Sequence, residues 1–458
     1  MYVEQLYTNC LAEAAYYIES EGEAAIIDPL RETEPYILLA KKRGAVIKYV
    51  FETHFHADFV SGHIDLARKV NAPIIYGPMA DTKYEVINAK DGQEFKLGKV
   101  TFRVLHTPGH TPESSCYLLL DEKGKEHAVF TGDTLFVGDV GRPDLLDGVM
   151  SQDDLAGMLY DSLNSKIKTL NNETIVYPAH GPGSACGKNI GKETFSTIGE
   201  QKKFNYALKE QTREEFIRQL TDGILPPPAY FFEDARINKN GYEPIDDVME
   251  GNSTPLSLSQ FKNEMNKGAI VLDVRTADEF ERGFIPGAIN IGLNGQFAVW
   301  AGTLLDINQP LVLVAERGKE NETILRLARV GYEKVSGYLE GGISSWDGEL
   351  DTVKSIIAED FKSTVKRDTG VLDVRKPGEW NTAHLKDAQF VPLANMPENL
   401  EGFDKNRTYV VHCGGGYRSM TAISLMKREG FTNLINVYGG FSAMVNAGLE
   451  MVTEEMVS

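Results

Sequence analysis

One pentapeptide occurs twice in this chain. Val271-Leu-Asp-Val-Arg275 returns letter for letter as Val371-Leu-Asp-Val-Arg375, 100 residues later. The match continues weakly around it. Glu279 and Phe280 answer Glu379 and Trp380, Leu293 answers Leu393, and Gly341-Gly342 answers Gly439-Gly440. A period this long is a duplicated domain of about 100 residues rather than a solenoid unit. Each copy reads as alternating strands and helices. In the second, Gly370 to Val374 and Tyr409 to His412 are apolar strands, and Ser419 to Glu429 is a helix. That pattern predicts an α/β fold with a mainly parallel sheet.

The 458 residues exceed what one hydrophobic core organises. Pro226-Pro-Pro228 and the polar stretch Asn238 to Thr254 suggest a linker before the duplicated pair. The expected domains are residues 1–250, 255–352 and 356–458. In the first of these, Ile47 to Thr53, Val100 to Leu105, Ala128 to Thr131 and Thr174 to Tyr177 read as strands. Each is followed within a few residues by a histidine or aspartate in a loop. Chemistry on an α/β scaffold sits at such strand ends.

Histidines crowd the same region: seven of the nine precede residue 181. The densest segment is Thr53-His-Phe-His-Ala-Asp-Phe-Val-Ser-Gly-His63. His54 and His56, two apart, point the same way in extended chain. Further donors lie in His106-Thr-Pro-Gly-His110, Thr131-Gly-Asp133 and Pro178-Ala-His180. Imidazole and carboxylate suit zinc or iron. His63 and His127 sit outside these motifs and are read as ordinary core or surface residues. His106 is read as structural. Cys186, close after His180 and two residues from Lys188, is either a thiol activated by that lysine or a quiet loop residue. Cys10 and Cys116 occupy apolar, strand-like contexts. Lys202 and Lys203 are read as a solvated helix face.

In the second repeat, Val411-His-Cys413-Gly-Gly-Gly-Tyr-Arg-Ser419 follows a strand and opens a helix. Gly414, Gly415 and Gly416 let the backbone curl its N–H groups toward one sulfur. The helix start at Tyr417 and Ser419 adds positive potential, and Arg418 adds a charge. These effects favour a thiolate or an anionic persulfide on Cys413. The first repeat has Ala315 at the cysteine position and Glu316 beside it. That copy is expected to be a spacer or interface domain.

Over about residues 1–250 the chain resembles the metallo-β-lactamase superfamily. It has an HxHxD loop, a PGHT histidine, a GD aspartate and a late histidine, in that order. Phe59 stands where two-metal members carry a histidine directly after the aspartate. A mononuclear site is more similar to the persulfide dioxygenase branch. That resemblance implies an αββα sandwich and one Fe(II) per chain, held by His54, His110 and Asp133. Such a triad leaves three open positions. By the same resemblance His56, Asp58, His180 and Arg142 support the ligands or the substrate, and Cys186, if it is active, is a persulfide-accepting thiol near the iron. The Cys413 loop resembles that of rhodaneses, with Cys413 and Arg418 as its acting residues, and both repeats share that likeness. The whole chain resembles the fused persulfide dioxygenase–rhodanese enzymes of sulfide detoxification.

The implied chemistry oxidises a low-molecular-weight thiol persulfide with O2 to sulfite and thiol, and makes or uses thiosulfate at Cys413. The rival is a zinc-dependent, glyoxalase II-like thioester hydrolase with regulatory rhodanese domains. A net charge of −19 argues against a nucleic-acid partner. No apolar run is long enough for a membrane span, and no signal peptide is evident. Four cysteines in so long a chain make no disulfide framework and fit a reducing cytoplasm. A chain of this size suits a homo-oligomer. The sequence leaves the thiol open among glutathione, coenzyme A, cysteine and bacillithiol.

Overall fold

The computed structural model describes residues 1–145 and 149–453, so the last five residues of the expected third domain lie outside the described residues. Alternation of side chains along the strands decides the first unit, which is built on Met1–Val248 with the short stretch Ala328–Gly331. Tyr16 and Ile18 face one way while Ala15 and Tyr17 face the other, so each strand must be covered on both sides.

Two six-stranded sheets meet this demand. The first runs in chain order from Tyr2–Thr8 to Ile87–Asn88, antiparallel through Glu23–Ile27 and parallel from there. The second runs spatially from Ser196–Thr197 through Ile175–Pro178, Glu126–Gly132, Ser115–Leu120 and Val100–His106 to Glu94–Leu97. Between the sheets lie Tyr16, Ile27, Phe51, Phe102, Tyr117 and Phe130. The outer face of the first sheet buries Tyr36 and Leu66 from the helices Glu34–Arg43 and His63–Val70. The outer face of the second buries Leu159 and Phe216 from Gln152–Ser162 and Arg213–Thr221. This is the αββα sandwich. All four predicted strands are present, shifted by a residue or two at their ends.

The expected linker is different. Asn238 to Thr254 is mostly helical, spanning the end of Tyr230–Asn240 and then Ile245–Asn252. Its polar residues are not solvent-facing filler: Asn238 is 1% exposed.

The second unit holds both repeats. The first has the parallel strand order Pro255–Leu256, Val335–Leu339, Leu311–Val314, Ile270–Asp273, Ile289–Asn290. The second repeats that order with Lys354–Ile356, Leu434–Val437, Tyr409–His412, Gly370–Asp373 and Gln389–Phe390. The duplicated pentapeptide has a physical reason. Asp273 ends its strand and takes the guanidinium of Arg275 at 2.9 Å, and Arg275 also reaches Gly283 O at the end of the helix Ala277–Arg282. Asp373, Arg375 and Ala383 O repeat the bonds. A buried ion pair thus staples strand to helix in each copy, and either half alone would leave an unpaired buried charge. Among the described residues no helix is long and apolar enough to cross a membrane.

Candidate functional site

Four strand ends converge in the first unit. The strand Val46–Phe51 delivers His54, Val100–His106 leads to His110, Glu126–Gly132 delivers Asp133, and Ile175–Pro178 delivers His180. The two sheets come close here. Gly132 has φ 52°, and a Cβ on it would lie 2.6 Å from the Thr53 side chain. A larger residue could not bring Asp133 in.

The orientation of each ring is set from behind. The Thr53 hydroxyl donates to Asp28 Oδ2 at 2.9 Å and accepts from His54 Nδ1 at 2.9 Å. Arg142 O accepts from His110 Nδ1 at 2.7 Å. Both rings are thereby held with the lone pair on Nε2. These two Nε2 atoms face the same oxygen of Asp133, Oδ2, at 3.8 and 3.4 Å. Burial, and then the neighbouring rings of His56, His110 and His180, hold His54 well below the ordinary imidazole range. It is neutral and free to coordinate.

The other oxygen of Asp133 looks elsewhere. His180 Nε2 lies 3.6 Å from Asp133 Oδ1 and 3.5 Å from Asp58 Oδ2, while its Nδ1 donates to Ala12 O. Burial opposes charge on His180, but Asp58 and Asp133 outweigh it and raise the ring well above its usual value. The Asp58 carboxyl, despite burial, is held low by His180 and His56.

The donor set fits a metal ion. His54, His110 and Asp133 each offer a ligand atom within 4.8 Å of the others, and all three are buried. His110 Nε2 and both Asp133 oxygens make no hydrogen bond within the protein. Orphaned buried donors of this kind are costly unless something fills the space among them. His56 stands outside that set and groups instead with Asp58 and His180, or with Asp28 and Glu52, each an equally compact buried cluster. Its Nε2 lies 3.2 Å from Asp28 Oδ1, and its ring rests on Phe59 at 4.3 Å between centroids.

Cys186 is drawn in but not activated. It groups with Asp133 and His180, and burial followed by the charges of Asp58 and Asp133 pushes its thiol up to about 12. The activating role considered for Lys188 is wrong, because that ammonium turns away to Gln219 O and Asp222 O. Arg142 grips the carboxylate of Asp144 and reaches Ala185 O, so it braces the loop that carries Cys186. His106 binds Pro112 O, away from the centre, and His63 is a core residue bonded to Tyr84. Lys202 ties to Leu170 O and Asn172. Cys116 is a buried strand residue, but Cys10 lies in a turn rather than a strand. A cavity of about 540 Å³ opens beside Asp144, Val149, Gln152 and Phe232, and none of the metal-ligand candidates lines it.

Asn238, read from sequence only as the start of a polar linker, belongs to the site. Its side-chain N–H groups donate to His56 O at 2.7 Å and Phe59 O at 2.8 Å, and its oxygen accepts from Ser61 N at 2.9 Å. One amide thus fixes the backbone of the histidine loop.

In the second repeat Cys413 is buried directly after its strand. Gly416 N–H points at its sulfur at 3.1 Å, and the Ser419 hydroxyl lies 3.6 Å away. Arg418 is not a bare charge. Glu379 binds it through both oxygens, and Lys376, on the surface nearby, is lowered by desolvation and by Arg418. Lys376 and Arg418 against Glu379 still favour an anion. In the first repeat the counterpart Glu279 faces Glu316 and raises its carboxyl.

Comparison with known proteins agrees with this architecture. Residues 8–180 match the metallo-beta-lactamase superfamily, and residues 257–349 and 357–447 each match the rhodanese-like domain. A probable hydroxyacylglutathione hydrolase of Schizosaccharomyces pombe is 32% identical over 165 residues, which is 35% of this chain and 60% of that protein. The human mitochondrial persulfide dioxygenase ETHE1 is 30% identical over 209 residues, 45% of this chain and 74% of the other. A Staphylococcus aureus structure described as a metallo-beta-lactamase superposes with a TM-score of 0.66 at 33% identity, covering 74% of this chain and 98% of that one. With its sandwich, its strand-end donors and these likenesses, the chain belongs to the metallo-β-lactamase superfamily and carries two rhodanese-like domains behind that fold.

Proposed function

We propose that the chain is a persulfide dioxygenase joined to a sulfurtransferase. The observation that carries this reading is the split of Asp133: Oδ2 completes a three-donor set with His54 and His110, while the position after Asp58 is Phe59 rather than a second-metal histidine. A ferrous ion in that set, one per chain, would supply the activation of O2 and the oxidation of the outer sulfur. The chain's own residues do the rest. Thr53 and Arg142 O fix the rings, and Asn238 fixes the loop. His180 holds a proton at Nε2 between Asp58 and Asp133, next to where a thiolate must leave.

The net reaction is RSSH + O2 + H2O → RSH + SO3²⁻ + 2H⁺. At the second site Cys413 takes sulfane sulfur from another persulfide, the thiol RSH leaves, and sulfite removes that sulfur as thiosulfate. Gly416 N–H and the Arg418–Lys376 charges stabilise the persulfide anion on Cys413 between the two steps.

The test is oxygen uptake by iron-loaded protein against persulfides of glutathione, coenzyme A, cysteine and bacillithiol, with sulfite and thiosulfate both measured. We expect uptake with at least one of them. The likeness to the S. pombe hydrolase favours a second reading, a zinc thioesterase. Full zinc occupancy with thioester hydrolysis, and no oxygen uptake on any persulfide, would decide for it.

A further inference from the structure

Three consecutive glycines are a poor way to hold a loop. Gly414, Gly415 and Gly416 have more backbone freedom to lose than any other residues, and Gly416 sits at φ 110°. Yet its N–H must stay aimed at Cys413 Sγ. One end of the loop is fixed, because Cys413 O accepts from Phe441 N at 2.7 Å. The other end is Tyr417, the first residue of the helix Tyr417–Arg428. Its hydroxyl donates at 2.7 Å to Gly292 O, which belongs to the repeat that has no cysteine.

The contact is shaped on both sides. A Cβ on Gly295 would lie 2.6 Å from the Tyr417 ring, and one on Gly292 3.3 Å from it. The turn carrying these glycines is gripped from behind by Arg326, whose guanidinium donates to Leu293 O at 2.7 Å and Gly295 O at 3.2 Å. Arg326 is on the helix Glu320–Ala328, the counterpart in the first repeat of the helix that Tyr417 opens. Further along that second helix, Asn290 N donates to Ser424 Oγ at 3.0 Å.

We infer that the cysteine-free repeat is a clamp for the sulfur-carrying loop, with Arg326, Gly292 and Gly295 as positioning residues that act through Tyr417. The inference rests on the reading of Cys413 as a sulfur carrier. Its effect is to remove the entropy that three glycines would otherwise spend each time an anion enters the loop.

Three variants test it in the full-length protein: Tyr417→Phe, which removes one oxygen; Gly295→Ala, which crowds the ring; and Arg326→Met, which frees the turn. Two quantities are read, amide hydrogen exchange of Gly414 to Tyr417 and the kinetics of sulfur transfer from thiosulfate to cyanide. We expect exchange in the loop to rise about three- to tenfold in each variant, the factor that one hydrogen bond of ordinary strength is worth. Exchange in the strand Tyr409–His412 should stay as in the parent. KM for thiosulfate should rise by a similar factor while kcat stays within about twofold. Unchanged loop exchange in Tyr417→Phe and Arg326→Met overturns the clamp, as does a change spread evenly over the repeat. If the parent transfers no sulfur at all, the sulfur-carrier reading falls, and the exchange comparison still decides whether the loop is clamped.

Discussion

Replacing Asn238 with alanine should loosen the metal loop more than any other change outside the donor set. The side chain is 1% exposed and makes three hydrogen bonds to the backbone of His56, Phe59 and Ser61, all fully buried. Alanine leaves two carbonyls and one N–H without partners. Each such group costs about 1–3 kcal/mol when unsatisfied, so the ceiling is about 9 kcal/mol. Water entering the space vacated by the amide recovers part of this, and we expect a net loss of about 3–5 kcal/mol. In a unit of this size that lowers the melting temperature by about 6–20 °C. Because the chain has two compact units, the quantity to follow is the calorimetric transition that shifts on metal addition, not a single global value.

The loop carries His54 and Asp58, so metal affinity, measured by chelator competition, should fall about 10- to 100-fold. Asn238→Asp sharpens the test. It keeps an acceptor for Ser61 N but sets a carboxylate against two carbonyl oxygens, and it should do at least as much harm as alanine. If Asn238→Ala melts within about 2 °C of the parent and keeps its metal affinity within about twofold, the three bonds do not hold the loop and the reasoning is wrong.

Phe59→His supplies a donor beside Asp58, His180 and Asp133 Oδ1, and zinc-loaded protein should then carry two metal ions per chain by elemental analysis; a content that stays at one would clear Phe59 of blocking the second position. Asp133→Ala should abolish oxygen uptake and leave thiosulfate-to-cyanide transfer intact. Cys413→Ser should do the reverse, with sulfite accumulating and the ratio of persulfide consumed to O2 falling from two toward one, as the balanced reactions require. Cys186, its thiol pushed up to about 12, stays protonated through neutral and mildly alkaline pH, so iodoacetamide labelling of its peptide in native protein should stay negligible from pH 6 to about 9; labelling that rises through that range would mean a thiolate the burial argument excludes.

Much of this was readable from residues because strand ends and loop motifs are local. His54, His110, Asp133 and His180 follow strands whose apolar runs are short and distinct, and the fold brings all four together. The duplicated pentapeptide located both repeats because its buried Asp–Arg staple tolerates little change. What escaped was set by packing between distant segments. Asn238 looks like linker polarity until the helix Tyr230–Asn240 is seen to lie against a loop about 180 positions away. Lys188 is two residues from Cys186 in sequence, but its long side chain turns to Gln219 and Asp222. Glu379 is visible as a repeat match, and nothing local says that it will hold Arg418.

The two repeats, finally, share a frame and differ in sign. Gly440 packs so closely under Cys413 that a Cβ would lie 2.3 Å from its carbonyl oxygen, and Gly342 stands under Ala315 in the same way, at 3.1 Å. Both glycine pairs have positive φ. The same backbone frame was therefore kept in the copy that has no cysteine. The side chains around it were not. Glu379 neutralises Arg418 and leaves Lys376 in surplus, whereas Glu279 meets Glu316, two like charges at the mouth of the same fold. On the reading of Cys413 as a sulfur carrier, an anionic sulfur species is expected to favour the second loop over the first. In a chain that makes its own sulfite, as proposed above, that difference would steer sulfite to the loop that carries Cys413.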